Sequence, residues 1–171
     1  MDSNIIVHEV RTNEELSLFW DKRNEYMKED IIPNCTLGEP ITKEDEEWFF
    51  SQEYMDHIMK LYFREIDKLY IVFFVKDGDI IGFSSYITYH SEDGKCFILD
   101  FCIDVKARNQ GIGKECFYLI ENKELNKGAT YFALNLTNEQ NERFWKSLGF
   151  VKNGNDEYNN PIYICRPKIM L

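Results

Sequence analysis

The chain has 171 residues, a length that suits one domain, and 44% of them are hydrophobic, including 13 Phe, 10 Tyr and 3 Trp. This supply of apolar side chains predicts a packed core and argues against a disordered chain. The formal net charge of −10 disfavours binding to nucleic acid phosphates and to anionic membrane surfaces. We therefore expect a single domain over residues 1–171 that has no nucleic acid or membrane partner.

Cysteine and histidine spacing gives no sign of a metal site. The five cysteines are widely scattered without a CxxC pair, and no two of the three histidines are four residues apart. A disulfide framework or a zinc site needs closer and more regular spacing. We expect no structural metal.

The start of the chain lacks the features of a secretory signal. Residues 1–10 carry Asp2 and Glu9 but neither a basic start nor an apolar stretch, and no apolar run approaches 18 residues. The expected compartment is the cytoplasm.

The first 66 residues predict one strand and two helices. Residues 5–10 form a short extended segment, and a helix begins at Asn13 with an apolar stripe at helical spacing. Residues 30–40 contain two prolines and a glycine, which predicts a loop of the length that often borders a ligand site. Thr42 and Asp45 resemble a capping box that opens a second helix to about Ile66.

The middle of the chain predicts a β-hairpin and a third, central strand. Residues 69–75 and 80–89 are β-branched and apolar runs joined by an Asp-Gly turn at residues 77–79. Residues 96–105 follow as a strand that alternates between two faces. We predict that one face is apolar, with Phe97, Leu99, Phe101, Ile103 and Val105, and that the other carries Ile98, Asp100, Cys102 and Asp104.

The last third predicts two more helices between short strands. One helix runs from Gly111 to about Asn126 and ends before Gly128, and another runs from Asn138 to Leu148. Strands are expected at residues 131–136, 150–151 and 162–165. The order of elements predicts an α/β (α+β) fold with a mixed, mostly antiparallel central sheet and helices on both faces.

The segment Arg108–Gly113 has the composition of a phosphate-binding loop. Its two glycines allow a close backbone approach, and the following helix start offers unpaired NH groups at the positive end of its dipole. A Walker A loop would need Gly at position 108, and a dinucleotide-binding loop would need Gly or Ala at position 116. The chain has Arg108 and Cys116 at these positions, so both alternatives fail.

Two motifs together resemble the GCN5-related N-acetyltransferases. The first is Arg-x-x-Gly-x-Gly at residues 108–113, directly after the central strand. The second is Asn138, six residues before the segment Phe144-Trp145-Lys146-Ser147-Leu148-Gly149-Phe150. The order of elements is similar to that of the family along nearly the whole chain.

The resemblance implies that acetyl-CoA is the acyl donor, as a co-substrate, with no metal. The pantetheine arm would pair with the backbone of Phe101, Cys102 and Ile103 like an added strand, and Asn138 would contact it from the other side. A backbone NH near Ile103 would stabilise the oxyanion. The remaining donor-binding residues are Arg108, Asn109, Gln110, Gly111, Ile112, Gly113 and Lys114 at the pyrophosphate, and Trp145.

The catalytic groups are less well defined. Many relatives have a Glu where this chain has Leu99, so Asp100 is our first choice as proton acceptor and Asp104 competes with it. Family members commonly use a Tyr at the position of Trp145 to protonate the leaving thiolate, which an indole cannot do. Tyr158, Tyr163 or water would have to replace it.

The resemblance implies transfer of an acetyl group to a primary amine of a small molecule or a protein, by a monomer or a homodimer. Two alternatives stay open. One is a non-catalytic sensor that binds acyl-CoA on the same fold. The other is an interaction module in which the aromatic segment 48–63 docks a partner.

Overall fold

A computed structural model describes residues 4–167 of the chain. The strands are β1 (Ile5–Glu9), β2 (Leu69–Lys76), β3 (Asp79–Thr88), β4 (Lys95–Ile103), β5 (Tyr131–Asn135), β6 (Val151–Asn155) and β7 (Pro161–Cys165). The α-helices are α1 (Asn13–Tyr26), α2 (Lys43–Phe49), α3 (Gln52–Phe63), α4 (Ile112–Asn126) and α5 (Glu139–Ser147). A π-helical turn, Met27–Ile31, continues α1.

The seven strands form one sheet in the order β1-β2-β3-β4-β5-β7-β6. Every neighbouring pair is antiparallel except β4 and β5, which are parallel. Parallel strands need a crossover connection, and α4 supplies it. The predicted mixed and mostly antiparallel sheet is confirmed.

Helices cover both faces of the sheet. On one face, α1 and α3 pack Phe19, Trp20 and Ile58 against β2 and β3, which we name the α1–α3 core. On the other face, α4 and α5 pack Phe117 and Trp145 against β4 and β5, which we name the α4–α5 core. Together the two cores bury 12 aromatic side chains and pack six more against them, as the aromatic-rich composition predicts.

The predicted helix from Thr42 to Ile66 is wrong as one element. The chain instead forms α2 and α3, which are separated by two residues. Ser51 accepts a hydrogen bond from Tyr54 N at the start of α3 and donates one to Trp48 O at the end of α2, 2.7 Å away. Because its hydroxyl bonds the backbone on both sides, Ser51 breaks the helix there.

The predicted alternation along β4 is also wrong, because the strand contains an extra residue. Ser85 pairs with Asp100 but Tyr86 pairs with Ile98, so a β-bulge leaves Leu99 without a partner on β3. Ile98 and Phe101 therefore both face the α4–α5 core, whereas Leu99 packs against the α1–α3 core. The strand also ends at Ile103 rather than Val105, because residues 105–107 form a 3-10 turn.

The predicted turns agree with the structure. The hairpin between β2 and β3 turns through Asp77 and Gly78, with φ of +52° and +86°, the conformation that an Asp-Gly pair favours in two-residue turns. Gly128 follows the end of α4 with φ of +107°. No helix in residues 4–167 is both long and apolar enough to cross a membrane.

Candidate active site

The sheet opens where β4 and β5 stop pairing. Their register runs only from Lys95–Tyr131 to Ile98–Leu134, so the rest of β4 has no strand partner on that side within residues 4–167. The NH of Asp104 donates to Ile81 O on β3 at 2.9 Å. Since backbone directions alternate along a strand, the NH and carbonyl groups of Phe101 and Ile103 point into the opening. We name this pair of residues the open edge.

The orientation of the strand backbone at the open edge bears on the predicted role of Cys102. Cys102 pairs with Phe83 on β3, and its carbonyl oxygen lies close to Gly82. Its backbone groups therefore point away from the opening and are not free for a ligand, because a strand presents every second residue to each neighbour. This geometry disfavours the predicted contact between the backbone of Cys102 and the pantetheine arm.

A glycine-containing loop follows directly below the open edge. Asn109 and Gly111 have φ of +61° and +77°, and Gly111 occupies the N-cap position of α4 without any side chain to satisfy the first NH groups. These NH groups point out of the helix start, where its dipole is positive. Gln110 and Lys114 are exposed beside them. The loop offers an anion site of the kind predicted for a pyrophosphate.

Gly113 lies between the loop and α5. A Cβ atom at this position would be 3.2 Å from Phe144 Cε2, so the absence of a side chain lets α4 and α5 approach closely. The Phe144 ring stacks on Phe101 with 6.0 Å between ring centroids. The two helices and the open edge are therefore packed as one unit, with Ile112 buried beneath.

Arg108 connects the loop to the open edge and to the π-helical turn. Its Nε donates to Ile103 O at 2.7 Å, and its Nη2 donates to Asp30 at 2.6 Å. No sequence motif pairs Asp30 with this loop, because Asp30 and Arg108 are 78 positions apart.

Asp100 lies beside the open edge on the α1–α3 side of the sheet. Ser85 Oγ donates to its carboxylate at 2.8 Å. Burial raises the pKa of Asp100, and the positive charge of Arg23 and the bond from Ser85 offset part of that increase. A carboxylate with a raised pKa, next to an opening in the sheet, is suited to accepting a proton.

Arg23 is the cation that faces Asp100, and its side chain is only 2% exposed. Its guanidinium lies 4.6 Å from the centroid of the Tyr54 ring and donates to Phe49 O at 2.5 Å. Arg23 therefore ties α1 to the break between α2 and α3. Its position in an otherwise apolar stripe of α1 was the sequence signal for a buried, paired charge.

The other proposed catalytic residues lie outside this group. Asp104 caps the 3-10 turn that follows β4, without a capping bond from its side chain. Tyr158 lies in the turn between β6 and β7 and is 71% exposed. Tyr163 is buried and donates to Glu142 at 3.1 Å. The structure brings none of the three into contact with Asp100 in the described residues.

Asn138 and Trp145 have clear structural positions. The Asn138 side chain accepts a bond from Gln140 N at 2.7 Å and so caps α5, as the sequence predicts. Trp145 is 6% exposed among four phenylalanines, Phe101, Phe117, Phe144 and Phe150, whose ring centroids lie 4.9–5.9 Å away. This arrangement fits a packing role for the indole.

Tyr26 is a residue of this region that no sequence motif indicates. Its hydroxyl donates to Phe101 O at 3.2 Å, across 75 positions of sequence. Within residues 4–167, no group of three or more Cys, His, Asp and Glu is arranged to hold a metal.

This geometry can accommodate a ligand that pairs like a strand and carries phosphate groups. Comparison with known proteins identifies the family of the chain. Residues 39–150, more than half of the chain, match the model of the acetyltransferase (GNAT) family, and the chain belongs to that family. No curated protein matches the sequence.

Several solved structures share the fold at low sequence identity. PaiA N-acetyltransferase from Thermoplasma acidophilum, in complex with coenzyme A, has a TM-score of 0.67 and 17% identity, and the match covers 98% of this chain and 100% of that one. Tetrahymena GCN5 has a TM-score of 0.67 and 13% identity, with 97% and 98% covered.

A third structure shares the fold over part of its length. N-acetylglutamate synthase from Neisseria gonorrhoeae, complexed with coenzyme A and N-acetyl-glutamate, has a TM-score of 0.64 and 14% identity, with 97% of this chain and 36% of that chain covered. At these identities the comparisons support a common fold. Family membership supports acetyl transfer in general.

Proposed function

We propose that the chain is a single N-acetyltransferase domain that transfers the acetyl group of acetyl-CoA to a primary amine. The observation that carries this proposal is the open edge of β4, which lies between the glycine-containing loop and the half-buried carboxylate of Asp100. A ligand with an amide-containing arm and a pyrophosphate fits the first two features. A protonated amine fits the carboxylate of Asp100.

The donor would bind along the open edge and the loop. Its pantetheine amides would pair with the backbone of Phe101 and Ile103, and its pyrophosphate would accept bonds from the NH groups at the start of α4. Asn138 and Trp145 would border the arm from α5. One of the two NH groups of the open edge would stabilise the oxyanion that forms during attack.

The acceptor must lose a proton before it attacks. A lysine-like amine with a pKa of about 10.4 is almost entirely protonated at pH 7, and generating the free amine costs about 4.6 kcal/mol. Asp100 would take this proton, directly or through water. The amine nitrogen then bonds to the thioester carbon, the C–S bond breaks, and the thiolate takes a proton from water or a nearby donor.

Direct attack in a ternary complex is favoured over an acyl-enzyme. The cysteine of β4 that lies at the open edge is Cys102, and burial raises the pKa of its thiol to about 12. At pH 7 only roughly one molecule in 10⁵ would then carry the thiolate that nucleophilic attack requires. The chain is therefore expected to move the acetyl group to the amine in one transfer.

A panel of amines with acetyl-CoA tests the proposal. The panel contains an aminoglycoside, a polyamine, free amino acids and a lysine-containing peptide, and the release of free thiol is measured. Thiol release with at least one amine, together with the acetylated product, supports the enzyme. Binding of acetyl-CoA without release would favour the sensor, and the absence of binding would favour the interaction module formed by the aromatic segment 48–63.

We further propose a cytoplasmic monomer or homodimer with no bound metal.

A further inference from the structure

Side-chain donors occupy both carbonyl groups of the open edge. Phe101 O accepts a hydrogen bond from Tyr26 Oη at 3.2 Å, and Ile103 O accepts one from Arg108 Nε at 2.7 Å. The same two carbonyls are the ones that would accept hydrogen bonds from the amides of a pantetheine arm. The NH groups of the open edge are therefore available to a ligand, whereas its carbonyl oxygens already accept hydrogen bonds from side chains.

The Tyr26 hydroxyl is fixed as a hydrogen-bond donor. Its ring packs edge-on against Phe83, with 5.7 Å between centroids, at the α1–α3 side of the sheet. Burial raises the pKa of Tyr26 well above its ordinary value, so the phenol stays protonated at neutral pH. A phenol has one proton to donate, and here it is directed at Phe101 O.

The position of Tyr26 is coupled to that of Arg108. Tyr26 is the last residue of α1, and Asp30, which binds Arg108, lies in the π-helical turn directly after it. The backbone oxygen of Asp30 also accepts a bond from Asn34 Nδ2 at 2.8 Å. Short π-helical turns often occur at functional sites. This turn sets the position of both groups that cover the carbonyls of the open edge.

We infer that Tyr26 is a residue of the donor site whose hydroxyl competes with the pantetheine arm for the carbonyl oxygen of Phe101. The inference rests on the proposed function, because it assumes that acyl-CoA pairs with the open edge. When the donor binds, the arm's amide would replace the phenol at Phe101 O. Losing the phenol's hydrogen bond opposes donor binding, so a variant without the hydroxyl should bind the donor more tightly.

The experiment is a titration of Tyr26→Phe with acetyl-CoA by calorimetry. We expect the dissociation constant to fall about threefold to tenfold, the factor that one neutral hydrogen bond is worth. Tyr62→Phe is the matched control, because Tyr62 also donates from a buried phenol to a backbone carbonyl, Val10 O, at 2.8 Å. Its affinity for acetyl-CoA should equal that of the wild type.

Adenosine 3′,5′-bisphosphate, which has no pantetheine arm, serves as a second probe, and Tyr26→Phe should not change its affinity. An acetyl-CoA affinity within twofold of the wild type, a weaker one, or an equal gain for both probes would overturn the inference. Tyr26→Leu removes the same hydroxyl and gives the answer if Tyr26→Phe does not fold. Failure of the wild type to bind acetyl-CoA would instead contradict the proposed function itself.

Discussion

Replacing Gly82 with alanine should displace the open edge, because Gly82 lies on β3 and pairs with Ile103. A Cβ atom on Gly82 would lie 2.3 Å from Cys102 O and 3.2 Å from Ile103 Cα, whereas Cβ contacts under 3.0 Å are essentially never seen. The contact is with backbone, so no side chain can turn away. The β3 and β4 backbones must separate by at least 0.7 Å to reach 3.0 Å from the present 2.3 Å.

Two opposing effects determine how Gly82→Ala changes the free energy of unfolding. Separating the strands destabilises the folded state, and alanine restricts the unfolded chain, which favours folding. Overpacking of this kind costs about 1–3 kcal/mol, and the Gly→Ala change returns about 0.4–1 kcal/mol through the unfolded state. The net loss should lower Tm by several degrees, since about 1 kcal/mol shifts Tm by roughly 2–4 °C in a chain of this size. The shift of β4 should also weaken acetyl-CoA binding at least fivefold, because two backbone hydrogen bonds of about 0.5–1.5 kcal/mol each are misaligned.

Gly154→Ala is the control for this prediction. Gly154 lies on the edge strand β6 with φ of +76° and has no atoms within 4 Å of a Cβ position, so alanine there costs about 1–2 kcal/mol of backbone strain without a collision. Stability is measured by urea denaturation and affinity by calorimetry. We expect both variants to be destabilised, and we expect only Gly82→Ala to lose acetyl-CoA affinity. A folded Gly82→Ala variant with wild-type affinity would refute this expectation.

Two further substitutions separate chemistry from packing. Asp100→Asn should lower turnover most near neutral pH and less at high pH, where free amine is abundant, with Asp104→Asn as the control that keeps the wild-type rate profile. Because the folded-state pKa of Asp100 is raised, the folded state binds more protons than the unfolded state. Its stability therefore falls as pH rises from the unfolded pKa through the folded one, and Asp100→Asn should be the more stable protein at neutral pH but not in acid. A wild-type rate profile in Asp100→Asn would move the role of base to Asp104 or to solvent. Trp145→Phe should lose stability through a cavity but stay active with little pH dependence, and a loss of more than about a hundredfold in turnover by a folded variant would bring the indole into the mechanism.

Local chemistry predicted the elements that depend on neighbours in sequence. The Asp-Gly hairpin, the capping box of Thr42 and Asp45, Gly128 and the loop before α4 all have causes within a few residues. The bulge at Leu99 was missed because it depends on how β3 pairs with β4. The sequence alternates regularly across that point and gives no sign of the extra residue.

The part of the site that is formed by neighbours in sequence was predicted, and the part that depends on long-range contacts was not. The open edge and its loop are consecutive in sequence, so one motif indicated both. Tyr26, Arg23 and Asp30 reach the site from α1 and its π-helical turn, and their contacts with β4 and the loop span about 75 residues. Only a buried arginine and a tyrosine in an otherwise apolar helical stripe hinted at such contacts.

The central claim is that acyl-CoA pairs with Phe101 and Ile103 as an added strand. Residue-resolved amide hydrogen exchange with and without acetyl-CoA tests it most directly. In the free protein the amides of Phe101 and Ile103 should exchange faster than that of Cys102, which faces β3. At 100 times the dissociation constant, acetyl-CoA should slow both amides by up to about a hundredfold. Exchange at Phe101 and Ile103 that stays unchanged while acetyl-CoA is bound would contradict the account.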